Sequence, residues 1–251
     1  MNGRDILEKM REVYLSFDSY SDVGTVESIG LPGPGLEFQT YFKRPLNYRF
    51  HWRSWHPYFG KSKPADENTV LSNGESFASS YNGEIEHSQS FAMMLAGAAG
   101  ISRGSVLNIL NILLPGSLQL SHNWHEMTEV RSLPEELVDN VECFHIIGTA
   151  KNSEDTEVWI EKNSFVVRCL KEKITITEEM SAQMRIEQQS MERVEIMKEA
   201  AKKAGMSDEN LEKTLVHLAT VGFEPMTYSH IYNYTTVTVD QPIDDTLFSN
   251  L

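Results

Sequence analysis

Two histidines and a glutamate lie close together in the stretch His122-Asn123-Trp124-His125-Glu126. Of all the segments in the sequence, this one most resembles a metal site. In an HExxH zinc helix a second histidine follows one turn after the first, but here Glu129 occupies that position after His125. A site made of His122, His125 and Glu129 would still suit a metal ion on a helix. Asn123 and the serines before it favour a loop, so we expect solvated side chains. A metal-dependent hydrolase is therefore the weakest functional hypothesis.

Nucleophilic catalysis has no recognisable motif in this sequence. Gly74-Glu75-Ser76 and Gly104-Ser105 do not complete GxSxG, and there is no glycine-rich phosphate loop. Asp244-Asp245 is a carboxylate pair, but adjacent residues usually face different ways, and a polar turn accounts for them. We predict no catalytic residue, no metal and no cofactor.

The overall charge restricts the classes of partner. The 251 residues carry 36 acidic and 22 basic side chains, giving a formal net charge of -14. Binding to nucleic acid needs clustered lysine and arginine, so nucleic acid is not expected as a partner. Electrostatic docking onto anionic membranes is disfavoured for the same reason. The hydrophobic content of 40% is that of a globular chain, and no linker-like stretch divides it, so we expect one domain over residues 1–251.

The two cysteines are predicted to be free thiols. Strands over 141–149, 157–161 and 165–176 would form a meander with Cys143 and Cys169 on its outer strands. A strand spacing of about 4.8 Å puts their Cα atoms at least roughly 9–10 Å apart. A disulfide needs Cα atoms within about 7 Å.

Amphipathic patterns along the chain predict an α+β fold. Residues 4–17 have the three- and four-residue apolar spacing of a helix. Alternating apolar and polar residues predict antiparallel strands, with Asn73-Gly74 as a hairpin turn, at 23–28, 36–43, 48–52, 69–72, 75–81 and 229–239.

Two short segments, 90–100 and 105–114, are apolar around most of a helix circumference. Such helices must be buried or must line an apolar space. Residues 180–204 and a segment that starts at Ser207 form a further helical section, which we interpret as an insertion around 180–220.

Four motifs, in order along most of the chain, resemble the bacterial outer-membrane lipoprotein carrier superfamily, the LolA- and LolB-like periplasmic half-barrel proteins. The first is the corner Lys43-Arg44-Pro45 followed by the aromatic strand Tyr48-Arg49-Phe50-His51-Trp52. The second is Val70-Leu71-Ser72-Asn73-Gly74 leading to Tyr81. The others are the hairpin of Val158-Trp159-Ile160-Glu161 with Phe165-Val166-Val167-Arg168, and the closing Ile243-Asp244-Asp245-Thr246-Leu247-Phe248.

This resemblance implies a curved antiparallel sheet, an incomplete β-barrel, whose concave face is covered by helices and binds acyl chains or other hydrophobic ligands without catalysis. It implies that Arg44 acts as a latch that holds the covering helices closed. We predict a ligand cavity lined by Phe38, Phe42, Phe50, Trp52, Phe77, Tyr81, Phe91, Met94, Leu107, Leu110, Leu114 and Trp159.

The predicted function is the binding or transport of a lipid, a lipoprotein acyl chain or a similar ligand in the periplasm or another extracytoplasmic space. The amino terminus has no apolar signal region, so we expect a mature chain whose export signal has been removed. The alternative is an envelope regulatory module that docks a membrane-anchored or other envelope protein. Its candidate surface is the polar side of the helix at 180–204, with Glu187, Gln188, Glu192, Arg193, Glu195 and Lys198.

Overall fold

The protein is described by a computed structural model that covers residues 1–31, 35–54, 65–116, 123–151, 153–188 and 224–249. Its strands form one antiparallel sheet in the order β6-β5-β4-β3-β2-β1-β11-β10-β9-β8-β7, with β6 and β7 at the two edges. The predicted α+β class with an open sheet is thus confirmed. The strands are β1 (Ser19–Ile29), β2 (Leu36–Lys43), β3 (Asn47–Ser54), β4 (Asp66–Asn73), β5 (Phe77–Tyr81), β6 (Glu84–Ser88), β7 (Thr128–Val138), β8 (Val141–Ala150), β9 (Ser153–Glu161), β10 (Val167–Ile176) and β11 (Met226–Val239).

The amino-terminal helix, α1 (Gly3–Ser16), matches the prediction for 4–17. It begins with a capping box, in which the Asn2 side chain accepts a hydrogen bond from the Asp5 amide at 3.0 Å. Ile6, Leu7 and Met10 lie on its buried face. The spacing of these residues is that of a helix with one apolar side, so α1 packs that side into the core and contacts β7 and β8.

Strands β1 to β6 form a meander, in which the alternating patterns predict β1 to β5. Every second side chain of β2 and β3 is buried, because successive residues of a strand point to opposite faces of the sheet. The Asn73-Gly74 turn joins β4 to β5. Gly74 has a φ of 90°, a conformation that suits glycine, and the Asn73 side chain accepts a hydrogen bond from the Ser76 amide at 2.8 Å.

Three helices follow the meander: α2 (Phe91–Ile101), α3 (Ser105–Asn108) and α4 (Leu110–Leu113). The side chain of Ser90 caps α2 by accepting from the Met93 amide at 3.2 Å. The prediction of a single helix over 105–114 is corrected, because the chain breaks at Ile109 into two one-turn pieces. Every residue of these two pieces is buried, as their lack of a polar side requires.

Strands β7 to β10 form a second meander, with Cys143 on β8 and Cys169 on β10 on either side of β9. Both cysteines are free and buried, which confirms that they do not pair. A one-turn 3-10 helix, Trp124–Glu126, precedes β7. The two edge strands, β6 and β7, were not predicted, since most of their residues are exposed and give no apolar alternation.

The chain divides into two compact units, one of residues 1–173 with 229–251 and the other of residues 174–228. Within the second unit, α5 (Glu178–Gln188) begins after Thr177, whose hydroxyl accepts a hydrogen bond from the Met180 amide at 3.2 Å. The rest of the predicted helical insertion lies outside the described residues. None of the helices in the described ranges is long and apolar enough to cross a membrane.

Candidate functional site

The helices cover one face of the sheet, which we call the covered face, and an aromatic wall lines it. The ring centroids of Phe38 and Phe50 are 5.6 Å apart, those of Phe50 and Trp52 are 5.5 Å apart, and those of Trp52 and Tyr81 are 6.2 Å apart. These rings come from β2, β3 and β5 of one meander, in which β4 lies between β3 and β5, and their residues occupy inward positions of the alternation. The wall therefore presents a continuous apolar surface to the helices.

The helices complete the apolar cluster from the other side. Phe91 of α2 packs edge-to-face on Tyr48 with centroids 5.8 Å apart, and against Phe77 at 5.7 Å. Of the predicted lining residues, those that the structure brings into this one core are Phe38, Phe42, Phe50, Trp52, Phe77, Tyr81, Phe91, Met94, Leu107, Leu110 and Leu114.

Trp159 is the predicted lining residue that lies elsewhere. Its neighbours Val158 and Ile160 are buried in the core, so alternation along β9 directs Trp159 to the opposite face. There its ring stacks on His145 with centroids 4.1 Å apart, and its indole N–H donates to Glu136 at 2.9 Å. Trp159 therefore contributes to the outer face of the sheet and not to the covered face.

Arg44 connects the sheet to the ends of two helices. Its Nε donates to the carbonyl oxygen of Phe17 at 2.7 Å, and its Nη2 donates to that of Leu15 at 2.9 Å, both at the carboxyl end of α1. The same Nη2 donates to the carbonyl oxygen of Leu113, in the last turn of α4, at 3.2 Å. The last carbonyls of a helix lack partners within the helix and carry partial negative charge, so a guanidinium suits them well.

Three further side-chain hydrogen bonds reach carbonyl groups of the covering segment. The hydroxyl of Tyr48 donates to Val106 at 2.8 Å, and that of Tyr232 donates to Arg103 at 2.7 Å. The indole N–H of Trp124 donates to Asn108 at 3.0 Å. With Arg44, these bonds attach the segment from Arg103 to Leu113 to its surroundings, and the Arg103 guanidinium donates a further hydrogen bond to the Ser28 hydroxyl at 2.7 Å.

A buried carboxylate, Asp22, lies on the covered face among these apolar side chains. It is 2% exposed, and one oxygen, Oδ2, accepts a hydrogen bond from the Tyr20 hydroxyl at 2.7 Å. Burial raises the pKa of Asp22 to about 7, and hydrogen bonding from Thr40 and Tyr20 only partly offsets it. Its other oxygen, Oδ1, is buried and has no hydrogen bond of good geometry among the described residues.

Sequence reasoning missed Asp22, although a signal was present. The prediction began the first strand at Val23, which placed Asp22 in a loop. The strand in fact begins at Ser19, and alternation back from the buried Val26 through Gly24 puts Asp22 in an inward position. A charged residue at an inward position of a strand is unusual and marks a candidate functional group.

Gly24 allows the aromatic wall to approach β1 closely. A Cβ atom on Gly24 would lie 2.3 Å from Cζ of Phe38 and 2.4 Å from the carbonyl oxygen of Asn233. No side chain fits between these atoms, so the Phe38 ring packs directly over the backbone of β1. The same ring meets Tyr234 edge-to-face with centroids 5.7 Å apart.

The metal hypothesis finds no support in the described residues. His122 lies outside them, His125 is in the 3-10 helix, and Glu129 is exposed at the start of β7. His125 is buried against Trp124, so the expectation that it would be solvated is wrong. Within the described ranges, no group of three histidine, cysteine, aspartate or glutamate side chains is placed to hold a metal ion.

A pocket beside β1, β2 and β3 has both polar and apolar residues in its lining. Arg53 of this pocket pairs with Glu67, and His51 lies 3.0 Å from the hydroxyl of Thr69. The residues that line the pocket are Val23, Glu37, Phe38, Gln39, His51 and Arg53.

Comparison with known proteins gives distant structural likeness. No protein-family model and no curated protein matches the chain. Among solved structures, LprF from Mycobacterium bovis is 8% identical with a TM-score of 0.45, covering 99% of this chain and 96% of that one. A LolA superfamily protein from Nitrosomonas europaea is 10% identical with a TM-score of 0.34, covering 100% and 98%.

The Pseudomonas aeruginosa MucA/MucB complex is also similar, at 9% identity and a TM-score of 0.37, covering 99% of this chain and 61% of that chain. In two further MucB structures, this chain covers 60% and 62% of the other chain. It thus spans about three fifths of the length of the MucB structures.

Proposed function

We propose that this protein binds a hydrophobic ligand, such as a lipid or a lipoprotein acyl chain, between the covered face of its sheet and the helices α2 to α4, without catalysis. The observation that carries the proposal is the construction of the cover. A nearly uncharged helical segment packs on an aromatic wall and is attached by a small set of hydrogen bonds to backbone carbonyls.

Packing of this kind is suited to exchange with a ligand. Contacts between apolar side chains are non-directional, so an alkyl chain that enters between wall and cover replaces one apolar surface by another. Burial of an alkyl chain contributes about 25 cal/mol per Å² of apolar surface removed from water. Met94 lies in this layer, and its unbranched side chain adapts to ligands of different shape.

Arg44 acts in this proposal as the latch of the cover. It holds the carboxyl ends of α1 and α4 to the corner between β2 and β3 through three carbonyl oxygens. Breaking these bonds lets α4 move away from the sheet and opens a path for the ligand. In this proposal the ligand is lined by the predicted residues that lie on the covered face. Trp159 does not line it, because Trp159 lies on the outer face of the sheet.

The activity is proposed to take place outside the cytoplasm, because the sequence motifs resemble those of envelope carriers. Fusion of the full-length gene product to a reporter that is active only outside the cytoplasm tests this location. A partner that delivers or accepts the ligand belongs to the same proposal. The surface suggested for it at 180–204 lies outside the described side chains.

Two tryptophans on opposite faces of the sheet allow a direct test of the binding site. A brominated long-chain alcohol quenches tryptophan fluorescence on contact, so it should quench Trp52 on the covered face and leave Trp159 unaffected. In a background in which Trp55 and Trp124 are replaced by phenylalanine, we expect Trp52→Phe to remove most of the ligand-dependent quenching and Trp159→Phe to preserve it. Equal loss in the two variants would place the ligand elsewhere. An absence of quenching in the wild type, together with no lipid in an organic extract of the purified protein, would overturn the function itself.

A further inference from the structure

The covered face holds polar atoms that an alkyl chain does not satisfy. Oδ1 of Asp22 and the indole N–H of Trp52 are both buried, and neither has a hydrogen-bond partner of good geometry within the described part of the chain. A buried polar group without a partner is costly, because it has lost its hydrogen bonds to water. A ligand with a polar group at the right place would remove that cost.

Tyrosines from four elements lie within electrostatic range of the Asp22 carboxylate, and the Tyr20 hydroxyl donates a hydrogen bond to it at 2.7 Å. Burial is the main cause that raises the pKa values of these tyrosines. The negative charge of Asp22 is the second cause for Tyr20 on β1, Tyr48 on β3 and Tyr234 on β11. It also raises the pKa of Tyr14 on α1. The rings of Tyr14 and Tyr20 are 5.7 Å apart, and Phe17 lies 5.3 Å from Tyr14. Asp22 therefore sits in an aromatic environment formed by several parts of the fold.

The sign of the charge in this region indicates what it would bind. The fully or nearly buried carboxylates of the described core are Asp22 and Glu172, and no lysine or arginine of the described residues is buried to the same degree. Aromatic faces attract cations through their negative π-systems, and a carboxylate adds a full negative charge. A combination of aromatic rings and one carboxylate is thus suited to an ammonium group, and it disfavours a carboxylate or phosphate.

We infer that the ligand of the covered face is an amphipathic amine, whose ammonium group binds at Asp22 among the tyrosine rings while its alkyl chain lies along the aromatic wall. This inference rests on the proposed function, since it assigns the chemical class of the ligand at the same site. The ammonium donates a hydrogen bond to Oδ1 of Asp22. Phe38 continues the wall from Tyr234 towards Phe50 and Trp52, so the tail has an apolar path away from the charge.

Three probes with the same tail and different head groups test the inference: dodecylamine, dodecanol and dodecanoate. Their affinities are measured at about pH 8, where Asp22 is ionised, and at high salt, where the general attraction of an acidic protein for cations is screened. We expect the wild type to bind dodecylamine at least about tenfold more tightly than dodecanoate. Asp22→Asn should abolish this preference, because the variant lacks the charge that distinguishes the two head groups.

The control variant is Asp66→Asn, which changes the net charge by the same amount at an exposed position of β4 and should keep the preference. Equal affinity of the wild type for amine and carboxylate, or a preference that survives in Asp22→Asn, would overturn the amine assignment and leave hydrophobic binding in place. Failure of all three probes to bind would overturn the proposed function as well. If Asp22→Asn does not fold, the order of affinities of the three probes for the wild type decides whether the amine assignment holds.

Discussion

Arg44 and Leu113 are separated by 69 positions in the sequence, yet the guanidinium Nη2 of the first donates to the carbonyl oxygen of the second at 3.2 Å. Because Leu113 is in the last turn of α4, this bond ties the end of the helical cover to the corner that follows β2. The same guanidinium also holds the carboxyl end of α1. One side chain thus forms hydrogen bonds with two covering elements.

Arg44→Leu should weaken this closure without preventing folding. The variant loses three charge-assisted hydrogen bonds at a half-buried position, and we expect the free energy of unfolding to fall by about 2 kcal/mol. The dissociation rate of a bound acyl probe, followed by stopped-flow fluorescence, should rise by about tenfold. Amide exchange should accelerate in α4 before it does so in the sheet.

The matched control for the latch is Arg53→Leu, which removes an arginine paired with Glu67 on the outer face of a neighbouring strand. An exposed ion pair contributes little, so probe dissociation should stay unchanged in this variant. If the two variants release the probe at the same rate, Arg44 is not a latch.

The cysteines should be unreactive in the folded protein. Burial raises the pKa of Cys143 to about 11 and that of Cys169 to about 12, so the thiolate form that reacts with disulfide reagents is scarce at neutral pH. We expect no thiol to react with Ellman's reagent in native conditions and both to react in denaturant. Rapid reaction of either one in the native protein would show that β8 or β10 opens easily.

Much of the fold was predictable because its signals are local. The strand Leu36–Lys43 was predicted with the bounds that the structure gives it, since its alternation is regular and ends at a turn. The edge strands β6 and β7 were missed because they bury little, and Pro134 interrupts the pattern of β7. Helix α4 was joined to α3 because a uniformly apolar sequence does not mark a break at Ile109.

The candidate site was predictable in its apolar part and not in its polar part. Residues such as Phe50 and Trp52 lie on the covered face because two-residue alternation fixes their direction once one of them is buried. The same rule places Trp159 outside, between Val158 and Ile160, and the prediction ignored it there. Asp22 was missed for a different reason, since local composition assigned it to a loop and only its long-range pairing with β2 and β11 extends the strand to include it.

Gly24→Ala should destabilise the protein, because the added methyl group would overlap the Phe38 ring and the Asn233 carbonyl oxygen. Overpacking of this kind costs about 1–3 kcal/mol, and the backbone oxygen leaves little room for relaxation.

The control is Gly100→Ala in α2, where a Cβ atom would meet nothing within 4 Å. Alanine is favoured over glycine in a helix, so this variant should gain about 0.5–1 kcal/mol. Urea denaturation measures both, and an unchanged midpoint for Gly24→Ala would show that Phe38 does not pack on β1 as described.

Asp22 should make the protein less stable as the pH rises from about 4 to about 7. In the unfolded chain an aspartate has a pKa of about 3.9, whereas in the folded protein burial raises the pKa of Asp22 to about 7. Between these values the folded state holds a proton that the unfolded state has released, so the free energy of unfolding decreases with pH and levels off above about 7. The full contribution is about 4 kcal/mol, at 1.36 kcal/mol for each unit of difference.

The side chains that face Asp22 do not change charge in this range. They are the tyrosines Tyr14, Tyr20, Tyr48 and Tyr234, whose pKa values burial raises above the ordinary value. Asp22→Asn should therefore remove the decrease, so that the variant is close to the wild type at about pH 4 and more stable than it at about pH 8. Asp66→Asn, at an exposed position, should follow the wild type. Thermal unfolding of the three proteins across this range measures the effect, and parallel curves for the wild type and Asp22→Asn would show that Asp22 keeps an ordinary pKa in the fold.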